Sequence, residues 1–102
     1  MLQVTVKKEP GKATLQLSGR FNFESHAVFK NAYSPLIGEG GLESLVIDFG
    51  RVDYIDSSAL GMLLMVRDKL TGLNQKIVLA NSGGAVREVL QVANFGKIFN
   101  LL

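Results

Sequence analysis

Two adjacent serines, Ser57 and Ser58, follow Asp56 at the junction between an apolar segment and a run of strong helix-forming residues. Short polar side chains at such a junction can accept hydrogen bonds from the unpaired N–H groups of a first helical turn. Those amides and the positive end of the helix dipole also favour an anion at this place. A hydroxyl here is a candidate phosphate acceptor, and phosphorylation would add about −1.5 to −2 charge beside Asp56 and Asp53.

Helix capping is the simpler role for the two serines. A capping serine commonly stabilises a helix by about 0.5 to 2 kcal/mol and requires no regulation. From the local residues alone, capping is the better interpretation of both side chains, so modification of Ser57 needs support from the rest of the chain.

A catalytic or metal-binding role for this segment is disfavoured. A serine hydrolase needs a base, the only histidine is His26, and the flanking residues lack the glycine-x-serine-x-glycine pattern. Asp48, Asp53 and Asp56 could converge on a magnesium ion or accept a phosphoryl group. Asp56 is more simply a helix-start residue and Asp53 a solvated turn residue. We therefore expect no catalytic residue, no metal site and no cofactor.

The strand and helix around the serines are the elements that must position them. Residues 45–49 form an apolar run interrupted only by Asp48, which is typical of a strand covered on both faces. Gly50 and Arg51 are expected to break this strand, with a brief extension over residues 52–55. Residues 59–70 then form a helix, and the serines lie at its N-terminus.

The N-terminal part predicts a hairpin and a first helix. Alternation over residues 2–6 and 13–17, separated by a turn at 9–12, indicates two strands, the second ending at Gly19. Asn22 could cap the helix that follows from Glu24, which Pro35 should kink or terminate before a glycine-rich loop at 38–41. The apolar face of this helix comprises Val28, Phe29, Ala32, Tyr33 and Leu36.

The C-terminal part adds a strand, a third helix and a short last strand. Residues 76–80 form a second nearly continuous apolar run, expected to pair in parallel with the central strand. Ser82 should cap the third helix and Gly96 close it, before a strand near residues 98–101. This order predicts one α/β domain over residues 1–102, with a mixed sheet of about five strands and three to four helices.

Composition excludes several classes of function. The chain has 102 residues, 47% apolar and 20% charged, with a net charge of +2 and no cysteine. The cations are scattered, whereas nucleic-acid surfaces cluster them. No apolar run approaches the length of a membrane span and no signal peptide precedes the domain, so we expect a cytoplasmic protein. The glycine pairs lack the lysine and spacing of a phosphate-binding loop.

The predicted second helix is more apolar than packing on one sheet requires. Its apolar residues are Leu60, Met62, Leu63, Leu64, Met65 and Val66. Either the helix packs on two sides within the domain, or part of this surface binds a partner, and the residues leave both alternatives open.

The sequence resembles the bacterial anti-sigma factor antagonists, which are STAS-domain proteins. The most specific match is Asp56-Ser57-Ser58-Ala59-Leu60-Gly61, preceded by Val46-Ile47-Asp48-Phe49. Ala59 stands where the family usually has glycine, and Asn22 where it commonly has an acidic residue. The remaining matches, which extend over most of the chain, are residues 17–19, 80–82, 86–90 and 95–99.

The resemblance implies a switch between two binding states. A serine kinase that is also the anti-sigma factor would phosphorylate Ser57, with Ser58 the second choice. The unmodified protein would bind this kinase and release the sigma factor, phosphorylation would abolish the complex, and a PP2C-type phosphatase would restore it. The implied surroundings of the phosphorylation site are Asn22, Asp53, Asp56, Ser58 and Gly61. The implied partner-binding surface comprises Asp56, Ser57, Ser58, Leu60 and Met62.

An alternative function is compatible with the same fold but involves no phosphorylation switch. The chain could be a STAS-type adaptor subunit of a transport or membrane-trafficking complex, with serines that only cap the helix. Incubation with a kinase and ATP followed by intact-mass measurement distinguishes the two.

Overall fold

The computed structural model describes residues 1–37 and 41–102 of the chain. It consists of an antiparallel hairpin followed by alternating helices and strands. The elements in chain order are β1 (Gln3–Glu9), β2 (Lys12–Phe21), a 3₁₀ turn (Phe23–Ser25), α1 (His26–Ile37), β3 (Ser44–Ile55), α2 (Ser57–Gly72), β4 (Lys76–Ala80), α3 (Gly84–Val92), a second 3₁₀ turn (Phe95–Lys97) and β5 (Asn100–Leu101).

The strands form one mixed sheet in the order β1-β2-β3-β4-β5. β1 pairs with β2 in antiparallel orientation, and the other neighbouring strands pair in parallel. The expected α/β fold, the hairpin and the parallel pairing of β4 with the central strand are confirmed.

Within the described residues, helices cover one face of the sheet and leave the other uncovered. Alternate residues of β2, β3 and β4 are buried, and the residues between them are partly exposed. The buried side chains of all three helices join the same hydrophobic core, so the helices form one layer. A strand buried on both faces was therefore the wrong interpretation of residues 45–49, because Val46 and Asp48 face the uncovered side.

β3 does not break at Gly50 and Arg51. It continues to Ile55 along β2, with two shifts in register, one between Gln16 and Ser18 and one between Gly19 and Arg20. Each shift inserts an extra residue into β3, as a β-bulge does. The glycine that was predicted to interrupt the strand instead lies within a bulge.

β2 extends past Gly19 to Phe21. Gly19 has a φ of 96°, and a Cβ atom built on it would lie 2.6 Å from the Met1 carbonyl oxygen. The glycine therefore permits close approach of the N-terminus within the strand and does not end it.

The end of α1 agrees with the sequence prediction, whereas both ends of α3 differ from it. Pro35 lies in the last turn of α1, where it removes only one helical hydrogen bond, and α1 ends two residues later at Ile37. Gly83, and not Ser82, is the N-cap of α3, while the buried Ser82 accepts a hydrogen bond from Arg87 Nη1 at 3.3 Å. α3 ends at Val92, before the left-handed Asn94, so Gly96 does not close it.

The loop predicted at residues 38–41 falls mostly outside the described residues. Only Gly41 of that segment is described, and its φ is 89°.

Candidate functional site

Asp56 connects the two helical segments that surround the serines. Its backbone is extended at the N-cap of α2, and its Oδ1 accepts a hydrogen bond from the Ala59 N–H at 3.0 Å. Its Oδ2 accepts a second bond, at 3.2 Å, from the N–H of Phe23, 33 residues earlier in the chain. One carboxylate therefore fixes the start of α2 against the 3₁₀ turn.

Asn22 has the corresponding role at the 3₁₀ turn. Its Oδ1 accepts a bond from the Glu24 N–H at 3.1 Å, while its own N–H donates to the Ser25 hydroxyl at 3.0 Å. The Ser25 hydroxyl in turn donates to the Arg20 carbonyl oxygen at 3.1 Å. Asn22 therefore caps as the sequence predicted, but it caps this turn and not α1 directly.

Ser57 and Ser58 do not cap the helix, because Asp56 occupies that position. Ser57 is exposed and Ser58 is half-buried. Among the described residues, neither hydroxyl has a hydrogen-bond partner, and neither backbone N–H has one. Two free amides of the first helical turn thus lie beside an exposed hydroxyl, an arrangement that favours an anion.

A mainly apolar groove of ≈ 700 Å³ begins next to these serines. Phe23 and Met65 are the large hydrophobic residues exposed on its lining, at 75% and 47% exposure. The groove is lined by Phe23, Glu24, His26, Ala27, Ser58, Gly61, Met62 and Met65.

Gly61 is exposed on the wall of this groove. A Cβ atom at this position would meet no atom within 4 Å, so the folded chain has room for a side chain there. Glycine in a helix interior is less favourable than alanine by about 1 kcal/mol. The folded domain alone gives no packing reason for this glycine.

Acidic residues lie on the segments next to Ser57. Asp53 is exposed in β3, Asp56 precedes the serine, and Glu24 lies on the groove. Arg20 is not available to neutralise them from the helical side, because its guanidinium stacks over the Tyr54 ring at 4.1 Å on the uncovered face of the sheet. In the part of the chain that the structure describes, no ion pair involves the first turn of α2.

The structure places Ser58, Gly61 and Met62 on one groove and joins Asp56 to the turn that Asn22 caps, and it corrects two details of the sequence prediction. Asp53 is an exposed strand residue and not a turn residue. Met62 is only 6% exposed, so it forms the floor of the groove, and Leu60 is half-buried against the core. The sequence missed Phe23 and left open whether Met65 is buried or exposed. The exposure of Met65 depends on how α2 packs on the domain, and that of Phe23 on the turn held by the Asp56 contact.

Asp48, Asp53 and Asp56 do not form a shared cation site. Over residues 1–37 and 41–102, no group of three or more potential ligand side chains could hold a metal ion. In the same residues, no helix is both long enough and apolar enough to cross a membrane.

Removal of the Asp56 carboxylate should loosen this site. We expect Asp56→Ala to lower the free energy of unfolding by about 1 to 3 kcal/mol, since it removes a helix cap and a second hydrogen bond. Asp56→Asn should recover only part of the stability, because asparagine caps nearly as well but its amide nitrogen cannot accept the bond from the Phe23 N–H. Urea unfolding measures the difference. Asp53→Ala is the control, and an equal loss for Asp53→Ala and Asp56→Ala would contradict the capping role.

Comparison with known families gives a match over nearly the whole chain. A family model described as the Mlab STAS domain matches residues 4–102. A STAS-domain containing protein of Pseudomonas aeruginosa is 41% identical over 88 residues, which cover 86% of this chain and 85% of the relative. BtrV of Bordetella bronchiseptica, a candidate anti-sigma factor antagonist, is 29% identical over 96% of this chain and 84% of its own length.

Solved structures of the anti-sigma factor antagonist SpoIIAA share the fold. The unphosphorylated form aligns with a TM-score of 0.72 at 20% identity, over 87% of this chain and 82% of SpoIIAA. The phosphorylated form, from Bacillus, aligns with a TM-score of 0.76 at 19% identity, over 98% of this chain and 91% of SpoIIAA.

Proposed function

The chain belongs to the STAS-domain family, and on that premise we propose that it is an anti-sigma factor antagonist, a switch controlled by phosphorylation of Ser57. The unmodified form binds a serine kinase that is also an anti-sigma factor, and this binding releases the sigma factor. Phosphorylation of Ser57 by the same kinase abolishes the complex, and a PP2C-type phosphatase restores it. The protein works in the cytoplasm without a cofactor or catalysis of its own.

The observation that carries this proposal is the environment of the Ser57 hydroxyl. The hydroxyl is exposed, makes no hydrogen bond to the described residues and lies at the N-terminus of α2. A kinase can therefore reach it without unfolding the helix. Since Asp56 already performs the capping, modification of Ser57 removes no stabilising contact from the fold.

The apolar groove supports a docking surface beside the acceptor. Phe23 and Met65 expose apolar area next to Ser58, and binding of a partner would remove this area from water. Methionine adapts its shape to different partner side chains. A partner backbone passing close to Gly61 would also account for a glycine that the free domain does not require.

The switch requires only a local change in charge. A phosphoryl group on Ser57 would add negative charge beside Asp56, where the described residues provide no ion pair to offset it. Burial of that charge against the partner would require its desolvation, which is unfavourable without a matching cation. A coupling of about 1 to 3 kcal/mol corresponds to a change of about 5- to 150-fold in affinity.

Two of the similar proteins also support regulation by phosphorylation. BtrV is a candidate anti-sigma factor antagonist, and SpoIIAA has been solved both with and without phosphorylation. The proposal extends this regulation to Ser57 of the present chain.

Phosphoryl transfer to Ser57 tests the proposal directly. We expect the serine kinase that is recovered with the Ser57→Ala form to add one phosphoryl group to the wild-type protein, measured by intact mass. Ser58→Ala should accept the group as wild type does, and Ser57→Ala should accept none. A wild-type protein that stays unmodified while this kinase modifies a control substrate would exclude the switch and favour the adaptor function.

A further inference from the structure

The uncovered face of the sheet contains a polar groove of ≈ 370 Å³, on the opposite side from the helices. Small-molecule sites commonly occupy about 300 to 1,000 Å³. β1 and β2 form one wall with glutamine, threonine and serine side chains, and β3 and the residue after β4 form the other. The charged groups on its lining are Asp48 and Arg51.

A β-bulge places Arg51 in this groove. Residues three apart in a regular strand point to opposite faces, so Asp48 and Arg51 would normally be separated by the sheet. Here Gln16 pairs with Asp48 and Ser18 with Arg51, which means that β3 contains one residue more than β2 between these pairs. The extra residue turns Arg51 to the same face as Asp48 and Ser18.

A second bulge restores the regular alternation. Val52 pairs with Gly19 and packs partly against the core, and the next register shift places Tyr54 opposite Arg20 on the uncovered face. Bulges interrupt the hydrogen bonding of a sheet, and they commonly redirect a side chain next to a functional site. The consequence of this pair of bulges is local, because Phe21 and Ile55 return to the core.

Most polar groups of the groove have no partner within the domain. One Asp48 oxygen accepts a hydrogen bond from the Gly50 N–H at 2.8 Å, and the other makes none to the described residues. The Arg51 guanidinium likewise has no carboxylate or carbonyl partner among them. The side chains of Gln16, Ser18 and Asn81 are also without internal hydrogen bonds in the described chain.

We propose that this groove binds a small zwitterion of the free α-amino acid class. Arg51 would hold the carboxylate through charge-assisted hydrogen bonds, and Asp48 would hold the ammonium group. Gln16, Ser18 and Asn81 would bind polar groups of the ligand side chain. This site stands independently of the phosphorylation switch.

The charges of the groove favour a zwitterion over a phosphorylated ligand. One guanidinium is a single cation, and the half-buried Asp48 carboxylate would repel a phosphate that entered the same groove. The ligand should instead be nearly neutral overall and carry both charges.

NMR titration of the ¹⁵N-labelled chain with each of the twenty common L-amino acids tests this site. We expect at least one amino acid to shift the amide signals of Gly50, Arg51 and Asn81 in a saturable manner. Its N-acetyl and carboxamide derivatives, which each lack one charge, should bind at least about tenfold more weakly, because each loses a charge-assisted hydrogen bond. Absence of saturable shifts for every amino acid would overturn the proposal.

Three variants test whether the ligand binds in this groove. Arg51→Gln and Asp48→Asn should each weaken binding by about tenfold or more. Gly50→Ala should also weaken it, because the added Cβ would lie 3.1 Å from Asp48 Oδ1. Lys97→Gln, an exposed change in the second 3₁₀ turn, is the control for net charge. Equal affinity of wild type, Arg51→Gln and Asp48→Asn would overturn the site.

The same titration separates this proposal from the switch. Ser57→Ala should bind the amino acid as wild type does, because Ser57 lies on α2 and not on the groove. Loss of ligand binding in Ser57→Ala would contradict the independence of the two sites. Failure of the kinase experiment would leave the expected shifts at Gly50 and Arg51 unchanged.

Discussion

Ser57→Asp is expected to weaken binding of the anti-sigma partner by about 5- to 150-fold, whereas Ser57→Ala should leave the affinity close to that of wild type. The aspartate introduces a negative charge at an exposed position, which the proposed partner would cover on binding. Asp56 already uses both of its oxygens, and the described residues offer no ion pair to the new carboxylate. Calorimetric titration of each form with the purified partner measures the difference.

A change in folding should not cause this loss of affinity. A carboxylate in the first turn of a helix is favourable by about 0.3 to 1 kcal/mol, which offsets repulsion from Asp56. Thr71→Asp places the same charge at the other end of α2, about 21 Å away at 1.5 Å per residue. That variant should bind as wild type does. Equal affinities of Ser57→Ala and Ser57→Asp would refute the charge mechanism.

The general architecture could be predicted because its signals are local. Alternation over β1 and β2 with the turn between them indicated the hairpin, and the apolar run of β4 indicated a parallel neighbour of β3. Helical spacing in α1 identified Phe29, Tyr33 and Leu36 as buried, which the structure confirms.

The bulges in β3 could not be predicted from the residues of that strand. A bulge is defined by the register with the neighbouring strand, and no local pattern fixes the partner of Arg51. Gly50 indicated an irregularity in the strand, but a glycine within a strand is compatible with either a strand end or a bulge. The uncovered face was missed for a related reason, because Val46 makes the run look apolar on both sides.

The sequence predicted that Asp56 and the serines lie at a helix start, but not which apolar residues beside them are exposed. Asp56 and Ser57 are recognisable because the order of residues at a helix start determines their positions. Met62 and Met65 are three residues apart in a helix that is apolar on several faces, so periodicity does not show which is buried. Only the packing distinguishes them, with Met62 at 6% and Met65 at 47% exposure.

Phe21 links the core to this site. Its side chain is fully buried, with its ring centroid 4.9 Å from that of Phe29 and 6.4 Å from that of Phe49. Its carbonyl oxygen accepts a hydrogen bond from the Asp56 N–H at 3.3 Å. The packing of one ring therefore positions the backbone on which the cap of α2 depends.

Phe21→Ala is expected to lower the free energy of unfolding by about 3 to 5 kcal/mol, because it opens a cavity between α1 and β3. Total stabilities of about 5 to 15 kcal/mol make this a large fraction of the fold. Urea unfolding followed by circular dichroism measures the loss. Phe21→Leu retains most of the side-chain volume and should recover part of the stability, which keeps the measurement possible if the alanine variant unfolds.

Phe23→Ala is the matched control. It removes the same kind of ring two residues later in the chain, from a residue that is 75% exposed. Its effect on unfolding should stay within about 0.5 kcal/mol, as for most surface substitutions. The Phe23 N–H bond to Asp56 involves only the backbone and survives the change. Comparable losses for Phe21→Ala and Phe23→Ala would contradict the assignment of Phe21 to the core and of Phe23 to the open groove, because only burial distinguishes the two rings.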